Sequence, residues 1–295
     1  FILNKKYNKE IRLSLKKIKP DIYCVGECWS AESEILQYYD GLNCFNFAMA
    51  QAEGTVASAA KGSQIPVMLQ ATPEYLALLI AADRIGAALL MRDNTIEENA
   101  EAIAKSTATV MFAHDYISQE EVDAYIAAGI ERIITVSPMN YAIRPEMPKH
   151  VLKNLKARYP KHAPVSDVLE SWYDFQDEGD SYNGIVDAEV DPNRPLFYVY
   201  TSGSTGPSKQ VIHSAYTMLA AVHQLSAYAT SDDFRPTWLM AILPPALIAV
   251  TSSMLLMPMT SNRLLILDPF VDPEDIDLEI MRYKPNGLAF IPMFL

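Results

Sequence analysis

The chain has 295 residues, of which 50% are hydrophobic and 20% are charged, so its composition indicates a globular protein and excludes a disordered one. Its formal net charge of -12 argues against binding nucleic acid through a broad basic face. No apolar run reaches the roughly 18 residues of a membrane-spanning helix, and the N-terminus lacks the long apolar core of a signal peptide.

The N-terminal segment is basic, since residues 1–20 carry seven Lys or Arg and one Glu. Ile11, Leu15 and Ile18 give it an apolar stripe at helical spacing. A surface helix packed along one side is the expected structure. Contact with an anionic membrane surface is the alternative.

The cysteines indicate a reducing compartment. There are three, Cys24, Cys28 and Cys44, and this small, odd number does not suit a disulfide framework. Cys24 and Cys28 have no second ligand pair downstream, so free thiols are expected rather than a zinc site. The predicted location is the cytoplasm.

Strand-like and helix-like segments alternate from residue 65 to residue 137. Ile65–Gln70 is a predicted strand, and Thr72 and Pro73 are the expected cap and first residue of a helix that ends at Gly86. The alternation continues with strands over 87–91, 108–113 and 132–137 and helices over 95–105 and 118–128. This pattern predicts an α/β fold with a parallel sheet covered by helices on both faces.

Residues 140–194 show no clean periodicity and are rich in proline, acidic and aromatic residues. The segment is expected to be an irregular excursion and the boundary between two subdomains, if two are present. Its crowded carboxylates are expected to form a solvated acidic loop, with metal binding as the alternative: Asp174, Asp177, Glu178 and Asp180.

A loop after the apolar strand 195–200 is the most specific motif. Gly203 and Gly206 permit positive φ and close approach of a ligand to the backbone, and Lys209 adds a positive charge. Four further loop residues supply hydroxyl donors: Thr201, Ser202, Ser204 and Thr205. The loop is not a Walker A motif, because two residues separate Gly206 from Lys209. It is predicted to bind a polyphosphate.

The remaining elements extend the alternation. A helix is predicted from Val211 to Tyr228, and an apolar helical run begins at Pro244. A strand over 263–267, a helix from Pro273 to Tyr283, and a strand over 288–292 follow. His213 either borders the phosphate site or is a hydrogen-bonded structural residue.

The loop resembles the phosphate-binding signature of adenylate-forming enzymes, which include acyl-CoA synthetases, firefly-type luciferases and the adenylation domains of nonribosomal peptide synthetases. The run from Tyr200 to Gly206 matches without a gap, and Lys209 and Val211 fall at their expected places. Two departures occur: Pro207-Ser208 replaces the usual pair before the lysine, and Gln210 replaces a glycine. Residues 71–75, 86–91 and 272–292 also fit the family outline.

The resemblance implies the N-terminal portion of an acyl-CoA synthetase-like large domain, with layered sheets and helices on both faces. This incomplete domain would span residues 1–295, and the small C-terminal domain would be absent from these residues. The family's later motifs, which hold magnesium, the ribose and the acyl-adenylate, are not found in this sequence. Thr201–Gly206 and Lys209 would bind ATP, with Lys209 also catalytic, and Mg²⁺ and coenzyme A would take part.

The resemblance implies an ATP-dependent acid–thiol ligase that activates a small carboxylic acid as an acyl-adenylate and transfers it to coenzyme A, with fatty acid metabolism as the expected context. Two alternatives stay open. One is a non-catalytic nucleotide-binding or scaffold domain, and the other is the adenylation domain of a peptide synthetase. Neither nucleic acid nor an integral membrane segment is expected.

Overall fold

The computed structural model describes residues 25–26, 43–44, 64–92, 95–106, 108–140, 148–179, 188–189, 191–201, 208–227, 237–241, 264–268 and 270–289. Its strands are β1 (Val25–Gly26), β2 (Asn43–Cys44), β3 (Gln64–Met68), β4 (Ala88–Met91), β5 (Val110–His114), β6 (Arg132–Val136), β7 (Leu169–Ser171), β8 (Pro195–Tyr200), β9 (Gln210–Ser214), β10 (Thr237–Ala241), β11 (Leu264–Asp268) and β12 (Gly287–Ala289). Its helices are α1 (Pro73–Ile85), α2 (Ile96–Ser106), α3 (Gln119–Ala127), α4 (Lys149–Arg158), α5 (Trp172–Gly179), α6 (Ala215–Ala227) and α7 (Ile276–Tyr283).

A seven-stranded sheet forms the centre of the described structure, in the order β7-β6-β5-β3-β4-β8-β9. Every neighbouring pair is parallel except β8 and β9, which are antiparallel. The predicted parallel α/β fold is therefore confirmed. Strands β4 and β5 are buried along their whole length, as expected when helices cover both faces of a sheet.

Two apolar clusters show that both faces are covered. Phe112 of β5 and Ile134 of β6 pack on one face with residues of α1, α5 and α6. Met111 and Ile133, one position earlier in the same strands, pack on the other face with residues of α2 and α3. Side chains that alternate between the two faces of a strand thus fill two separate cores.

Helix α1 begins and ends where the sequence predicts. The Thr72 hydroxyl accepts a hydrogen bond from the Tyr75 N–H, and Pro73 occupies the first turn. At the other end Gly86 adopts φ of 78°, in the left-handed region that favours glycine. Arg194, just before β8, donates to the backbone oxygen and to a carboxylate oxygen of Asp83 and so binds the last turn.

The segment over 140–194 contains regular structure that the sequence analysis missed, namely α4, β7 and α5. Three of the four carboxylates assigned to an acidic loop, Asp174, Asp177 and Glu178, are exposed residues of α5, while Asp180 lies outside the described residues. The helix forms because Trp172 and Phe175 are both buried against Phe112. Whether a subdomain boundary falls in this segment stays a prediction.

A smaller parallel sheet, in the order β11-β10-β12, lies beyond α6 in the chain. Strand β10 was not predicted. Phe270 and Val271, which follow β11, pack with Val151 and Leu155 of α4. Glu279 of α7 is fully buried and lies 2.8 Å from His150 Nε2 of α4. These contacts join the two sheets.

The prediction that a helix starts near residue 211 is wrong. Residues 210–214 form β9, which pairs with β8 from Gln210 opposite Tyr200 to Ser214 opposite Pro195, and α6 begins only at Ala215. Val211 and Ile212 are β-branched, which lowers helix propensity slightly and favours a strand. Backbone pairing with β8, a tertiary interaction, decides in favour of the strand.

Several sequence predictions fall outside the described residues: the basic segment over 1–20, Cys24 and Cys28, and the helical run from Pro244. Cys44 lies in β2, which pairs with β1. Within the described part of the chain, every helix is too short or too polar to cross a membrane.

Replacing Gly86 by alanine should destabilise the protein. A Cβ atom there would lie 2.9 Å from Nη1 of Arg194 and 3.0 Å from Cβ of Ala188, and the left-handed backbone adds strain. We expect the free energy of unfolding to fall by about 1–3 kcal/mol, measured by urea denaturation. Gly129→Ala is the matched control, since φ is 109° but no atom lies within 4 Å of the added Cβ. Equal losses in both variants would refute the steric part of this explanation.

Candidate phosphate-binding site

The carboxyl ends of β3, β4, β5, β6 and β8 share one edge of the large sheet, because these strands are parallel. In open α/β sheets, ligands bind outside this edge. Thr201 follows the last residue of β8 and so starts the predicted loop at the expected edge.

Hydrogen bonds between Thr201 and residues 208–209 hold the two ends of the loop together, and we call this region the neck. The Thr201 N–H donates to the Lys209 carbonyl at 2.9 Å, and the Lys209 N–H donates to the Thr201 hydroxyl at 3.0 Å. The Ser208 hydroxyl donates to the Thr201 carbonyl. Both Thr201 and Lys209 are exposed. The antiparallel pairing of β8 and β9 therefore brings Lys209 back beside the start of the loop.

The structure describes two of the predicted ligands, Thr201 and Lys209. The other five, Ser202, Gly203, Ser204, Thr205 and Gly206, lie outside the described residues. The Thr201 hydroxyl already accepts one hydrogen bond within the neck, and its own proton is left to donate. Phosphate binding by all of these residues stays a prediction.

Arg92 lies at the same edge as the predicted loop, and the sequence analysis missed it. It follows β4 at the same edge, and its guanidinium carbon lies 4.4 Å from the centre of the Tyr200 ring. The Tyr200 hydroxyl accepts a hydrogen bond from Gln210 Nε2 at 3.1 Å. A charged residue directly after a buried strand is a signal that sequence analysis can use, but its contact with Tyr200 depends on the pairing of β4 with β8.

His114 connects three strand ends at this edge. Its Nε2 accepts from the Gln70 N–H at 2.7 Å, so in the neutral ring the proton is on Nδ1, which donates to the Val136 carbonyl at 3.3 Å. The ring stacks on Tyr116 and meets the edge of Phe270. Burial lowers the pKa of His114 to about 4.

Glu74 is buried in the first turn of α1, which follows β3. Burial raises the pKa of its carboxyl group, and a hydrogen bond from Asn140 Nδ2 at 3.0 Å acts in the opposite direction. The side chain therefore links the start of α1 to the segment that follows β6.

The described ranges contain no group of three His, Cys, Asp or Glu placed to hold an ion. The carboxylates of Glu170 and Glu178 instead both bind Arg132. His213 lies on β9 opposite Phe197 of β8 and is half-buried.

Comparison with known proteins identifies the family. The family model described as AMP-binding enzyme matches residues 54–295. The chain is 28% identical over 180 residues to the 3-hydroxypropionyl-coenzyme A synthetase of Metallosphaera sedula, covering 59% of this chain and 25% of that protein. It is also 28% identical over 240 residues to the enzyme of the same name from Sulfurisphaera tokodaii, covering 78% and 34% of the two chains.

A solved structure shows the same fold. The o-succinylbenzoate CoA synthetase of Bacillus subtilis, in complex with its acyl-adenylate intermediate, has a TM-score of 0.57 and 15% identity, covering 84% of this chain and 54% of that one. The chain spans a quarter to a third of the length of the two curated relatives it matches. The match over residues 54–295 shows that the chain belongs to the AMP-binding enzyme family.

Proposed function

We propose that this chain is the N-terminal part of an ATP-dependent acid–thiol ligase of the acyl-CoA synthetase type. The observation that carries the proposal is the neck of the loop. Lys209 and Thr201 hold each other at the carboxyl edge of a parallel sheet, where ligands of open α/β sheets bind and where the predicted phosphate-binding loop starts.

The loop would stabilise negative charges that the reaction brings together. A carboxylate must attack an anionic α-phosphate, and pyrophosphate must leave with additional negative charge. Backbone N–H groups and hydroxyls of the loop, together with Lys209, would hold the β- and γ-phosphates and stabilise that charge. Lys209 thus acts as a positioned cation and not as a nucleophile.

Coenzyme A is the proposed acceptor, since both curated relatives are named as coenzyme A synthetases. Those names also favour a short carboxylic acid over a long-chain fatty acid. The resemblance implies Mg²⁺ bound with ATP. The described residues contain no group of three His, Cys, Asp or Glu placed to hold that ion.

The test is exchange of labelled pyrophosphate into ATP by the complete polypeptide, with a panel of acids from acetate and 3-hydroxypropionate to palmitate. Exchange that depends on a short acid, followed by thioester formation with coenzyme A, is the expected result. Nucleotide binding without exchange for any acid would favour the scaffold alternative. Transfer to a carrier protein and not to coenzyme A would favour a peptide synthetase.

The 295-residue chain alone should not catalyse this exchange. It spans only a quarter to a third of the length of its curated relatives, and the family motifs for magnesium, ribose and acyl-adenylate are not found in it. Groups that act together in one transition state are each worth several kcal/mol, so their loss abolishes measurable turnover. Robust exchange by the isolated chain, assayed beside the complete polypeptide, would contradict this account of the site.

A further inference from the structure

Three side chains from three neighbouring strands meet at the strand ends that flank the predicted loop, and we call them the neck stack: Arg92, Tyr200 and Gln210. Arg92 follows β4, Tyr200 ends β8, and Gln210 begins β9. The guanidinium of Arg92 covers the Tyr200 ring at 4.4 Å, and Gln210 Nε2 donates to the Tyr200 hydroxyl at 3.1 Å. The ring is therefore held both on its face and at its polar tip.

Burying the Arg92 side chain costs free energy, so a role as a solvated surface charge does not explain its position. Only 9% of its side chain is exposed, and Nη2 lies 3.3 Å from Glu98 Oε2. Neither Arg92 Nε nor that carboxylate oxygen makes a hydrogen bond with the residues that the structure describes. A buried cation with incomplete compensation lowers stability, whereas its contact with an aromatic face gains strength from desolvation.

The neck stack is connected to Lys209 through the backbone on both sides. Tyr200 precedes Thr201, and Thr201 is joined to Lys209 by two hydrogen bonds. Gln210 follows Lys209 directly and pairs with Tyr200 across β8 and β9. A Tyr200 ring that is held in place therefore also holds the backbone that contacts Lys209 at Thr201 and the backbone that follows Lys209 at Gln210.

We propose that Arg92, Tyr200 and Gln210 are positioning residues that hold Lys209 where it meets the leaving phosphates. The inference rests on the proposed function. Preorganised charge needs no rearrangement during the reaction, so a loosened neck lowers kcat more than it weakens binding of the acid.

Arg92→Met in the complete polypeptide tests the proposal. We expect kcat for ATP–pyrophosphate exchange to fall about tenfold with the KM of the acid unchanged, and Arg92→Lys to recover part of the loss. Gln210→Val, which keeps a residue suited to a strand, should lower kcat about threefold. The matched control is Arg282→Met, which removes an arginine from the face of Tyr283 on α7 and should leave kcat unchanged.

The decisive measurement repeats Arg92→Met and Gln210→Val in a Lys209→Ala background. If the neck stack acts through Lys209, neither substitution lowers kcat further in that background. The same fold loss in both backgrounds, or an unchanged kcat for both single variants, would overturn the proposal. Full exchange by Lys209→Ala alone would also overturn it, by removing Lys209 from the mechanism. Absence of exchange in the unsubstituted polypeptide for every acid would instead refute the proposed function, so the two failures are distinguishable.

Discussion

Replacing Lys209 by alanine in the complete polypeptide should slow ATP–pyrophosphate exchange about 10- to 100-fold, since one charge-assisted hydrogen bond to the phosphates is worth about 1.5–3 kcal/mol. The acid should bind as before, because the proposed partner of Lys209 is the β- or γ-phosphate. The exposed position of Lys209 at the loop neck makes the substitution compatible with folding. Isotope exchange at saturating acid is the measurement.

Lys105→Ala is the control for this prediction. Lys105 is also exposed, and it pairs with Glu101 on the surface of α2. An exposed pair of this kind contributes little to stability, and the residue has no proposed contact with ATP. An exchange rate that Lys209→Ala leaves unchanged would remove Lys209 from the mechanism.

The proton equilibrium of His114 alone should lower the free energy of unfolding by about 3 kcal/mol as the pH drops from about 6.5 to about 4. Burial holds the pKa of this residue at about 4 in the folded protein, below its ordinary value of 6.5. In that window the unfolded state binds the proton and the folded state does not, so acid favours unfolding. Above pH 6.5 the contribution is constant, because the ring is neutral in both states.

Urea denaturation at several pH values measures this effect, by comparing the protein with its His114→Gln variant. The difference in unfolding free energy should shrink as pH falls through the window. The raised pKa of Glu74 acts in the opposite sense, but Glu74 is present in both proteins and cancels. His162→Gln, which removes an exposed histidine, is the control.

A second measurement covers the case in which His114→Gln does not fold. The imidazole proton resonances of His114 should stay those of a neutral ring down to about pH 5 in the folded protein, as followed by NMR. Titration of His114 near pH 6.5 would contradict the burial and the two hydrogen bonds that the structure assigns to it.

Local chemistry was sufficient to predict helix α1. A threonine cap, a proline in the first turn and a glycine in the left-handed conformation act within a few residues of one another, so the sequence contains the whole cause. The continuous apolar strands before and after α1 indicated a parallel sheet for a similar reason, since burial on both faces leaves no polar alternation.

Residues 210–214 show where local chemistry was insufficient. Their β-branched residues favour a strand only slightly over a helix, and pairing with β8 selected the strand. Helix α5 was missed because Trp172 and Phe175 stabilise it through Phe112, which lies some 60 positions earlier in the chain. In both cases the deciding contact joins residues whose proximity the sequence does not reveal.

The family resemblance could be read from the sequence without the structure, and so could the predicted phosphate loop with Lys209 as its proposed cation, because glycines, hydroxyls and a lysine in fixed order carry that chemistry locally. Only the tertiary structure placed Arg92 on Tyr200 and His114 between three strand ends. Those contacts arise because parallel strands, distant along the chain, end at one edge of the sheet. There residues that no sequence spacing relates come into contact.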